Sequence, residues 1–329
     1  MACLKTSYLG LELKNPLVVS SSPLTNDVES VAKLEQSGAA AVVMRSIFEE
    51  QIASDVSDMY AALEGETSAA ALEYLRADLP GQLGPESYLD KISDMRKRVK
   101  IPIIASVNCV DASKWVTYAK KIEHAGADAL ELNLYHMPVN PDETSDKVEA
   151  RRMALVKAVL AEVRLPVAVK LSQHYTALLP FVRMLDTVGV KGLVFFNRFL
   201  QTDVDTASES MFYAPNYSSP KVLHSQLRWT AIVREWVRCS IAVSGGIHSS
   251  DELVKALLVG ADVGYLCSAL YLREDFGVIQ EILDGLSEWM GRKGYSALDG
   301  FRGKLRERDL TDGVGFERAQ YVRTAAQLA

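Results

Sequence analysis

The stretch ELNLYHMP, residues 131–138, carries an amide, a phenol and an imidazole directly after an apolar run. These groups belong to Asn133, Tyr135 and His136. An imidazole has an unperturbed pKa of about 6.5, so it can remove a proton near neutral pH without prior activation. His136 is therefore the first candidate for a general base, and Tyr135 would orient it, act as an acid itself or contact a substrate. A non-catalytic substrate contact and a merely polar loop position remain the alternatives for His136.

A lysine, Lys170, interrupts the apolar segment LPVAVKLS at residues 165–172. A buried ammonium group is costly unless it faces an anion or strong hydrogen-bond acceptors. We therefore predict that Lys170 faces a functional site, and the alternative is a lysine that reaches outward to solvent. His174, just beyond this segment, is a second candidate base.

Two neighbouring segments, SGGIHSSDEL at 244–253 and YLCSAL at 265–270, are rich in small residues. Gly245 and Gly246 lead into a predicted helix, while Cys267 and Ser268 end the strand that follows it. Free backbone amides at the start of a helix bind phosphate groups. The two segments together predict a phosphate cradle, and the alternative is a tight turn that needs glycine.

Several chemistries have no matching residues in this sequence. No two acidic residues follow the predicted strands as a pair, which argues against a two-carboxylate hydrolase. Glu131 shares a predicted strand face with Asn133 and is expected to be a buried anchor instead of an acid catalyst. The five histidines are scattered and the four cysteines fit no metal spacing, so no metal site is predicted.

The composition limits the expected partners and location. A net charge of −6 argues against a nucleic-acid partner, because phosphate binding needs a basic surface. No apolar run reaches the roughly 18–20 residues of a membrane span, and the opening MACLKTSYLG lacks the pattern of a signal peptide. The four distant cysteines suit a reducing compartment, so a cytoplasmic protein is expected.

Two short sequence patterns alternate along the chain and predict its strands. In the first, a helix-ending glycine precedes an apolar run, as in SGAAAVVM, AGADALEL, VGVKGLVF and VGADVGYL. In the second, a chain break precedes the apolar run, as in VKIPIIASV, VRLPVAVKL and VRCSIAVSG. With NPLVVSSS at residues 15–22, they give eight strands separated by amphipathic helical segments. That order predicts an α/β fold, a (β/α)8 TIM barrel, with a doubly wound open sheet as the alternative.

No linker divides the chain, so residues 1–329 are predicted to form a single barrel domain with a C-terminal extension at 297–329. The opening TSYLGLELKNPL alternates around a glycine and predicts an N-terminal hairpin that caps the barrel floor. Two long connections, about 47–85 and about 198–224, follow the second and sixth strands and would lie on the catalytic face. The predicted helices span 27–37, 86–98, 111–125, 145–163, 176–187, 226–238, 249–259 and about 274–291.

The carboxyl ends of the strands carry the chemistry in barrels of this kind. The predicted strand ends present amides, hydroxyls, one lysine and one arginine around the phosphate cradle. This set suits a phosphorylated cofactor with a ring that is rich in hydrogen-bond acceptors. The polar strand-end residues are Ser20, Ser21, Ser22, Arg45, Ser46, Ser106, Asn108, Asn133, Lys170, Ser172, Asn197, Arg198, Ser244, Cys267 and Ser268.

From about residue 7 to residue 290, the sequence resembles the dihydroorotate dehydrogenase family of flavin enzymes. The resemblance lies in the order and spacing of YLGLELKNPLVVSSSP, ELNL, VAVKLS, FFN, SGGI and GADVGYLCSALY. It implies an FMN-binding barrel, an oxidoreductase that exchanges a hydride with flavin N5, and a homodimer.

The resemblance also implies roles for the matching residues. Lys170 would face the N1/O2 edge of the flavin and stabilise the negative charge of the reduced ring. The FMN phosphate would rest on Gly245, Gly246, Cys267 and Ser268. The flavin ring or the substrate would be contacted by Ser21, Ser22, Arg45, Ser46, Asn108, Asn133 and Asn197.

The segment after the fourth strand departs from the family pattern. The family usually has Asn-hydrophobe-Ser-Cys-Pro-Asn, with Cys or Ser as the base, where this sequence has NLYHMP at 133–138. The segment LPGQLGPESYL also lacks the Asn that often holds orotate. We therefore predict His136 as the base, Tyr135 and Arg198 as substrate contacts, and a small substrate with a CH–CH or ene-type bond. The alternative substrate is dihydroorotate itself.

Two other functions fit the same residues. One is a flavin-free phosphosugar isomerase or lyase in which Lys170 forms a Schiff base. The other is a regulatory protein that binds FMN without turnover. For the oxidoreductase, the expected electron acceptor is a soluble molecule or a redox partner protein, and the sequence has no cysteine cluster for an iron–sulfur centre.

Overall fold

The computed structural model describes residues 2–48, 84–108, 112–134, 137–197, 202–213, 217–307, 318 and 321–323. Its strands are β1 Thr6–Tyr8, β2 Leu11–Leu13, β3 Leu17–Val19, β4 Ala41–Val43, β5 Ile47–Phe48, β6 Ile103–Asn108, β7 Ala129–Asn133, β8 Val167–Leu171, β9 Gly192–Phe195, β10 Thr202–Asp205, β11 Ser210–Tyr213, β12 Ser240–Ser244 and β13 Val263–Leu266. Its helices are α1 Val28–Gln36, α2 Pro85–Arg98, α3 Ala112–Ala125, α4 Ser145–Glu162, α5 Leu178–Thr187, α6 Leu223–Val233, α7 Ser250–Val259, α8 Ser268–Arg273 and α9 Val278–Lys293.

Eight parallel strands form a closed barrel. Going round it, the order is β3, β4, β6, β7, β8, β9, β12 and β13, and β13 pairs with β3 to close the ring. The short strand β5 pairs with the far end of β6, where Ile47 lies opposite Val107. The predicted (β/α)8 barrel is therefore confirmed, and the open doubly wound sheet is wrong.

The barrel strands are apolar because both of their faces are covered. On β8, Val167, Val169 and Leu171 pack outward in the large core between strands and helices, whereas Ala168 packs inward in a smaller interior core. Side chains alternate between the two faces of a strand, and a strand that is buried on both faces reads as a continuous apolar run. This is why the sequence patterns of alternating strands and helices located the barrel strands.

Helix α6 begins and ends earlier than the predicted span 226–238. It begins early because Pro220 opens a 3-10 turn that runs directly into the helix at Leu223. It ends early because the Arg234 guanidinium donates a 2.7 Å hydrogen bond to the carbonyl of Val237 and holds a turn there. The short helix α8, directly after β13, was not predicted; the other helices agree with the predicted spans to within about one turn.

The two long connections differ in how much of them the structure describes. Most of the first, residues 49–83, lies outside the described residues. The second contains an antiparallel hairpin, β10–β11, in which Val204 lies opposite Met211. The sequence did not predict this hairpin, because both of its faces are exposed and no apolar alternation marks it.

The N-terminal hairpin, β1–β2, closes the amino end of the barrel, as predicted. Leu9 and Gly10 join its strands with φ angles of 57° and 78°. A two-residue turn of this kind suits the twist of a hairpin, although a positive φ costs a leucine about 1–2 kcal/mol. The Leu9 side chain is 2% exposed and packs among the interior residues of the barrel. Burial of a leucine contributes about 1.5–3 kcal/mol, which offsets that strain.

Gly192, at the start of β9, is expected to tolerate no side chain. A Cβ there would lie 2.3 Å from Leu9 Cδ2 and 3.5 Å from the Cβ of Ala168. Gly192→Ala should therefore lower the free energy of unfolding by about 1–3 kcal/mol in urea denaturation. Gly291→Ala in α9, where a Cβ meets nothing within 4 Å, is the matched control and should stabilise by about 0.5–1 kcal/mol. Equal effects would contradict the packing of the hairpin on β9.

The chain after α9 packs back onto the barrel as far as residue 307. Phe301 is buried against the rings of Trp289 and Tyr295. Arg302 donates hydrogen bonds of 2.9 Å to Asp262 Oδ1 and to Thr6 Oγ1. The described start of the predicted extension 297–329 is thus part of the barrel, and the single-domain division stays a prediction.

Candidate functional site

Polar side chains replace apolar ones toward the carboxyl end of the barrel interior. On β7, Ala129 lies in the interior core, so Glu131 and Asn133 point to the same side. On β8, Lys170 follows the interior residue Ala168 by two positions, and the same alternation directs it inward. Lys170 is 7% exposed, so the alternative of a lysine that reaches outward to solvent is wrong.

Lys170 faces the acid that the sequence predicted as a buried anchor. Its Nζ lies 4.0 Å from Oε1 of Glu131, which is fully buried. Two unit charges at 4 Å attract by about 4 kcal/mol at an effective dielectric constant of 20, which is comparable with the several kcal/mol that each buried ion loses in desolvation. Burial raises the pKa of Glu131 above its ordinary value, while Lys170 opposes that rise and the neighbouring Tyr265 and Ser106 oppose it further.

Two tyrosines extend this arrangement down to the barrel floor. Tyr265 on β13 donates a 3.1 Å hydrogen bond to Glu131 Oε2, and its hydroxyl lies 2.9 Å from that of Tyr8 in β1. We call Lys170, Glu131, Tyr265 and Tyr8 the polar column. Burial is the main cause that raises the pKa of both phenols far above the ordinary value, so they stay neutral. The two tyrosines were not predicted from the sequence, although Tyr265 shares a strand face with Cys267.

Three amides stand beside the lysine at the strand ends. Asn108, Asn133 and Lys170 lie side by side on β6, β7 and β8, because Asn133 pairs in register with each of the other two. Asn197 Nδ2 donates a 3.0 Å hydrogen bond to Asn133 Oδ1, and its backbone N–H donates to the carbonyl of Leu171 at 2.7 Å. The predicted amides and Lys170 are thus brought together around one end of the barrel.

The predicted serines form a hydroxyl chain on the neighbouring strands. Ser21 Oγ lies 3.3 Å from Ser46 Oγ, which lies 2.7 Å from Ser106 Oγ. The backbone N–H of Ser46 also donates to Ser21 Oγ at 2.9 Å. Ser22 is buried nearby, and it and Lys170 both lower the pKa of the Cys267 thiol, although burial is the largest cause and leaves that pKa raised. Arg45 is half-buried next to Ser46 at the end of β4.

The glycine pair has a backbone conformation that suits either a phosphate cradle or a tight turn. Gly245 and Gly246 have φ angles of 90° and 85°, which favour glycine. A Cβ on Gly246 would lie 2.9 Å from the backbone nitrogen of Leu223. Ser218, which was not predicted, links both halves: its Oγ accepts from the Gly246 N–H at 3.1 Å and donates to Ser268 Oγ at 3.0 Å. Ser218 lies in a long connection where only a three-dimensional arrangement reveals its partners.

A cavity of 530 Å³ extends from the glycine pair to Tyr265 of the polar column. Gly245, Gly246, Cys267 and Ser268 line one side, and Tyr265 lines it toward the barrel interior. Its volume is in the range of small-molecule and cofactor pockets. The described lining includes Lys221, His174 and His224 but no carboxylate, so it suits an anionic group. The structure thus fits a phosphorylated ligand whose other end reaches the interior of the barrel.

Some predicted site residues cannot be placed relative to this cavity. Tyr135, His136 and Arg198 lie outside the described residues. The second candidate base, His174, lies at the exposed edge of the cavity. Within the described part of the chain, no group of three potential metal ligands comes together, and no helix is long and apolar enough to cross a membrane.

Comparison with known proteins gives a consistent family assignment. A family model described as dihydroorotate dehydrogenase matches residues 3–290. The catalytic subunit of dihydroorotate dehydrogenase B (NAD(+)) from Thermoplasma acidophilum is 25% identical over 283 residues, covering 82% of this chain and 88% of the relative. The corresponding subunit from Pyrococcus abyssi is 26% identical over 302 residues, 90% and 96% of the two chains. Dihydroorotate dehydrogenase A (fumarate) from Lactococcus lactis is 25% identical over 320 residues, 92% and 99% of the two chains.

Proposed function

This chain belongs to the dihydroorotate dehydrogenase family of flavin-dependent CH–CH oxidoreductases, and from that premise we propose that it is an FMN-dependent enzyme acting on a small, anionic CH–CH or ene-type substrate. The observation that carries the proposal is the buried Lys170 beside three asparagines, one of which, Asn197, lines a cavity together with the glycine cradle. The described lining of this cavity contains no carboxylate. A cationic group next to the ring and a phosphate site at the strand ends are what FMN requires.

Different residues of the chain would hold different parts of the cofactor. The backbone amides of Gly245 and Gly246, with Cys267 and Ser268, would hold the phosphate. Lys170, Asn108 and Asn133 would face the polar edge of the ring, and Asn197 would hold the substrate against it. The ring would also be contacted from the ends of β3 and β4, by Ser21, Ser22, Arg45 and Ser46. When bound, FMN supplies the acceptor for a hydride at N5.

Lys170 contributes charge stabilisation and not proton transfer in this proposal. Its ammonium is fixed inside the barrel, so it favours negative charge on a ring beside it without reorganisation at the moment of reaction. His136 would remove the substrate proton, with Tyr135 and Arg198 as further substrate contacts. The proposal for these three residues rests on their positions in the sequence after the fourth and sixth strands.

Binding of FMN is the first expected result. The purified protein should be yellow, or should take up one equivalent of FMN with a shift in the flavin absorbance. The relatives named above are dihydroorotate dehydrogenases, so dihydroorotate is the second candidate substrate, and anaerobic bleaching of the bound flavin tests it. A colourless protein that takes up no FMN would contradict the proposed function. A flavin that binds but is not bleached by dihydroorotate would leave the broader oxidoreductase and exclude the alternative.

Replacement of His136 is expected to remove the proposed base without removing the cofactor. Loss of a general base usually costs about 10²–10⁴-fold in rate. His136→Ala should therefore slow flavin reduction by the substrate by this factor, measured by stopped-flow absorbance, with FMN content unchanged. His124→Ala, at an exposed position of α3, is the matched control and should reduce at the wild-type rate. An unchanged rate in His136→Ala would assign the base to another residue, with His174 as the next candidate.

A flavin-free isomerase or lyase remains the competing proposal because Lys170 is buried in a phosphate-suited barrel. Trapping of a Lys170 Schiff base with borohydride in the presence of a phosphosugar would support it. For the oxidoreductase, we propose a soluble electron acceptor or a redox partner protein, a homodimer and a cytoplasmic location. The names of the relatives give two acceptors, NAD(+) and fumarate, so family membership alone does not choose one.

A further inference from the structure

Glu131 is a buried acid that the proposed function does not use. Its side chain is fully buried in the barrel interior. Oε2 accepts the hydrogen bond from Tyr265, whereas Oε1 has no hydrogen-bond partner among the described residues and lies 4.0 Å from Lys170 Nζ. A buried carboxyl oxygen without a donor is costly when it is charged. The geometry leaves room on Oε1 for a proton and leaves Lys170 as the only close cation in the polar column.

The groups that face Glu131 come from four elements. Lys170 faces it from β8, and Tyr265 faces it from β13 with Tyr8 of β1 behind. Ser106 of β6 is also close to Glu131. The backbone of Ser106 forms hydrogen bonds with the Tyr88 hydroxyl of α2. The tyrosines are neutral donors, so Lys170 is the neighbour whose charge decides the protonation of Glu131.

Lys170 cannot fully compensate two anions at once. When Glu131 is ionised, its charge neutralises part of the field that Lys170 exerts on a ring above it. When the ring gains negative charge, it competes with Glu131 for the ammonium and repels the carboxylate. Both effects favour a protonated Glu131 in the reduced state.

We propose that Glu131 is a positioning residue that binds a proton when the cofactor is reduced and releases it on reoxidation. The inference rests on the proposed function, namely that FMN lies beside Lys170. In this step, the substrate gives a hydride to the ring, which gains one negative charge. A proton from solvent bonds to the Glu131 carboxylate, which loses one negative charge. The total charge of the ring, Glu131 and Lys170 is therefore the same before and after reduction.

The test is the midpoint potential of bound FMN as a function of pH in the wild type and in Glu131→Gln. In the wild type, uptake of the extra proton should change the reduction equilibrium by a further factor of ten for each pH unit. The midpoint potential should therefore fall by about 30 mV more per pH unit than it does without this proton. The curve of midpoint potential against pH should have this steep region between the pKa of Glu131 in the oxidised protein and the pKa of Glu131 in the reduced protein. Glu131→Gln should lack it. The two curves should meet at low pH, and the wild-type potential should be the lower one at high pH.

Each other outcome has a definite meaning. Two parallel curves would show that Glu131 keeps its charge in both states, and coincident curves would show that it is neutral in both; either overturns the inference and leaves the proposed function intact. Failure of both proteins to bind FMN would overturn the proposed function and the inference with it. Glu288→Gln, at an exposed position of α9, is the matched control and should follow the wild-type curve.

Two further measurements keep the inference testable if Glu131→Gln folds poorly. Tyr265→Phe removes a donor to the carboxylate, so the steep region should move to higher pH, and no movement would contradict the proposal. The flavin-free protein offers a second readout. Because burial raises the pKa of Glu131, the wild type should lose stability relative to Glu131→Gln as pH rises from the ordinary carboxyl range through that raised pKa. Parallel stability profiles would mean that Glu131 has the same pKa in the folded and the unfolded protein, and this would overturn the inference.

Discussion

Replacement of Lys170 by methionine should leave FMN bound but make it much harder to reduce. Removal of one preorganised group that stabilises developing charge typically costs about 10²–10³-fold in rate. We expect a fall of this size in the rate of flavin reduction and a lower midpoint potential, because the Lys170 ammonium would no longer stabilise the reduced ring. Stopped-flow absorbance and a dye-coupled redox titration measure the two quantities. A midpoint potential equal to that of the wild type would contradict the placement of Lys170 beside the ring.

The same substitution should also change how stability depends on pH. Without Lys170, Glu131 loses the cation 4.0 Å away, so its pKa should rise further. The loss of stability in Lys170→Met should therefore grow as pH rises, up to about 3–5 kcal/mol where Glu131 is forced to ionise without a partner. Lys191→Met, which changes an exposed lysine next to β9, is the matched control and should show neither effect.

Gly246→Ala should weaken FMN binding roughly 10–100-fold, because a shift of the cradle would cost about one hydrogen bond to the charged phosphate, worth about 1.5–3 kcal/mol. The new Cβ would lie 2.9 Å from the backbone nitrogen of Leu223, which cannot move as a flexible side chain would. The cradle would therefore have to shift. Fluorescence titration with FMN measures the affinity, and thermal unfolding reports the accompanying loss of stability.

Two other glycines separate steric conflict from backbone strain. Gly294, at the end of α9, has a φ of 75°, and a Cβ added there would meet nothing within 4 Å. Gly294→Ala should therefore cost only the strain of a positive φ, about 1–2 kcal/mol, with FMN affinity unchanged. Gly245→Ala should be intermediate, since its nearest neighbour would be 3.5 Å away. Equal FMN affinities for all three variants would argue against a phosphate cradle at Gly246.

The sequence predicted best those features that each strand carries on its own. The apolar run around Lys170 indicated a buried lysine, and the repeated strand patterns indicated the barrel, because both depend on periodicity within a few residues. The special backbone conformation at the glycine pair could also be predicted from the sequence, since few residues other than glycine adopt positive φ. For the same reason, the site residues at the ends of β6, β7 and β8 could be listed from the sequence.

Features that depend on distant parts of the chain were missed. The hydrogen bond between Tyr265 and Glu131 joins residues 134 apart, and no local pattern pairs them. Ser218 meets Gly246 and Ser268 only because its connection folds over the barrel end. The hairpin β10–β11 carries no buried face, so its strands lack the alternation that identified β1 and β2. Each omission has the same cause. Periodicity in the sequence indicates which residues are buried, but it does not indicate which distant residues they contact.

The hairpin that closes the barrel floor has a consequence for how the protein is made. Tyr8 and Tyr265 are 257 residues apart in the chain, and Thr6 and Arg302 are 296 residues apart, yet each pair is in hydrogen-bond contact. Contacts of such high sequence separation form late, because a long loop must close before they are gained. A ribosome-bound chain therefore holds the N-terminal hairpin without these partners until residues 265 and 302 have emerged. The lower end of the polar column is completed only after Tyr265 has been made, so the electrostatic surroundings of Lys170 depend on a residue that is synthesised 95 residues after it.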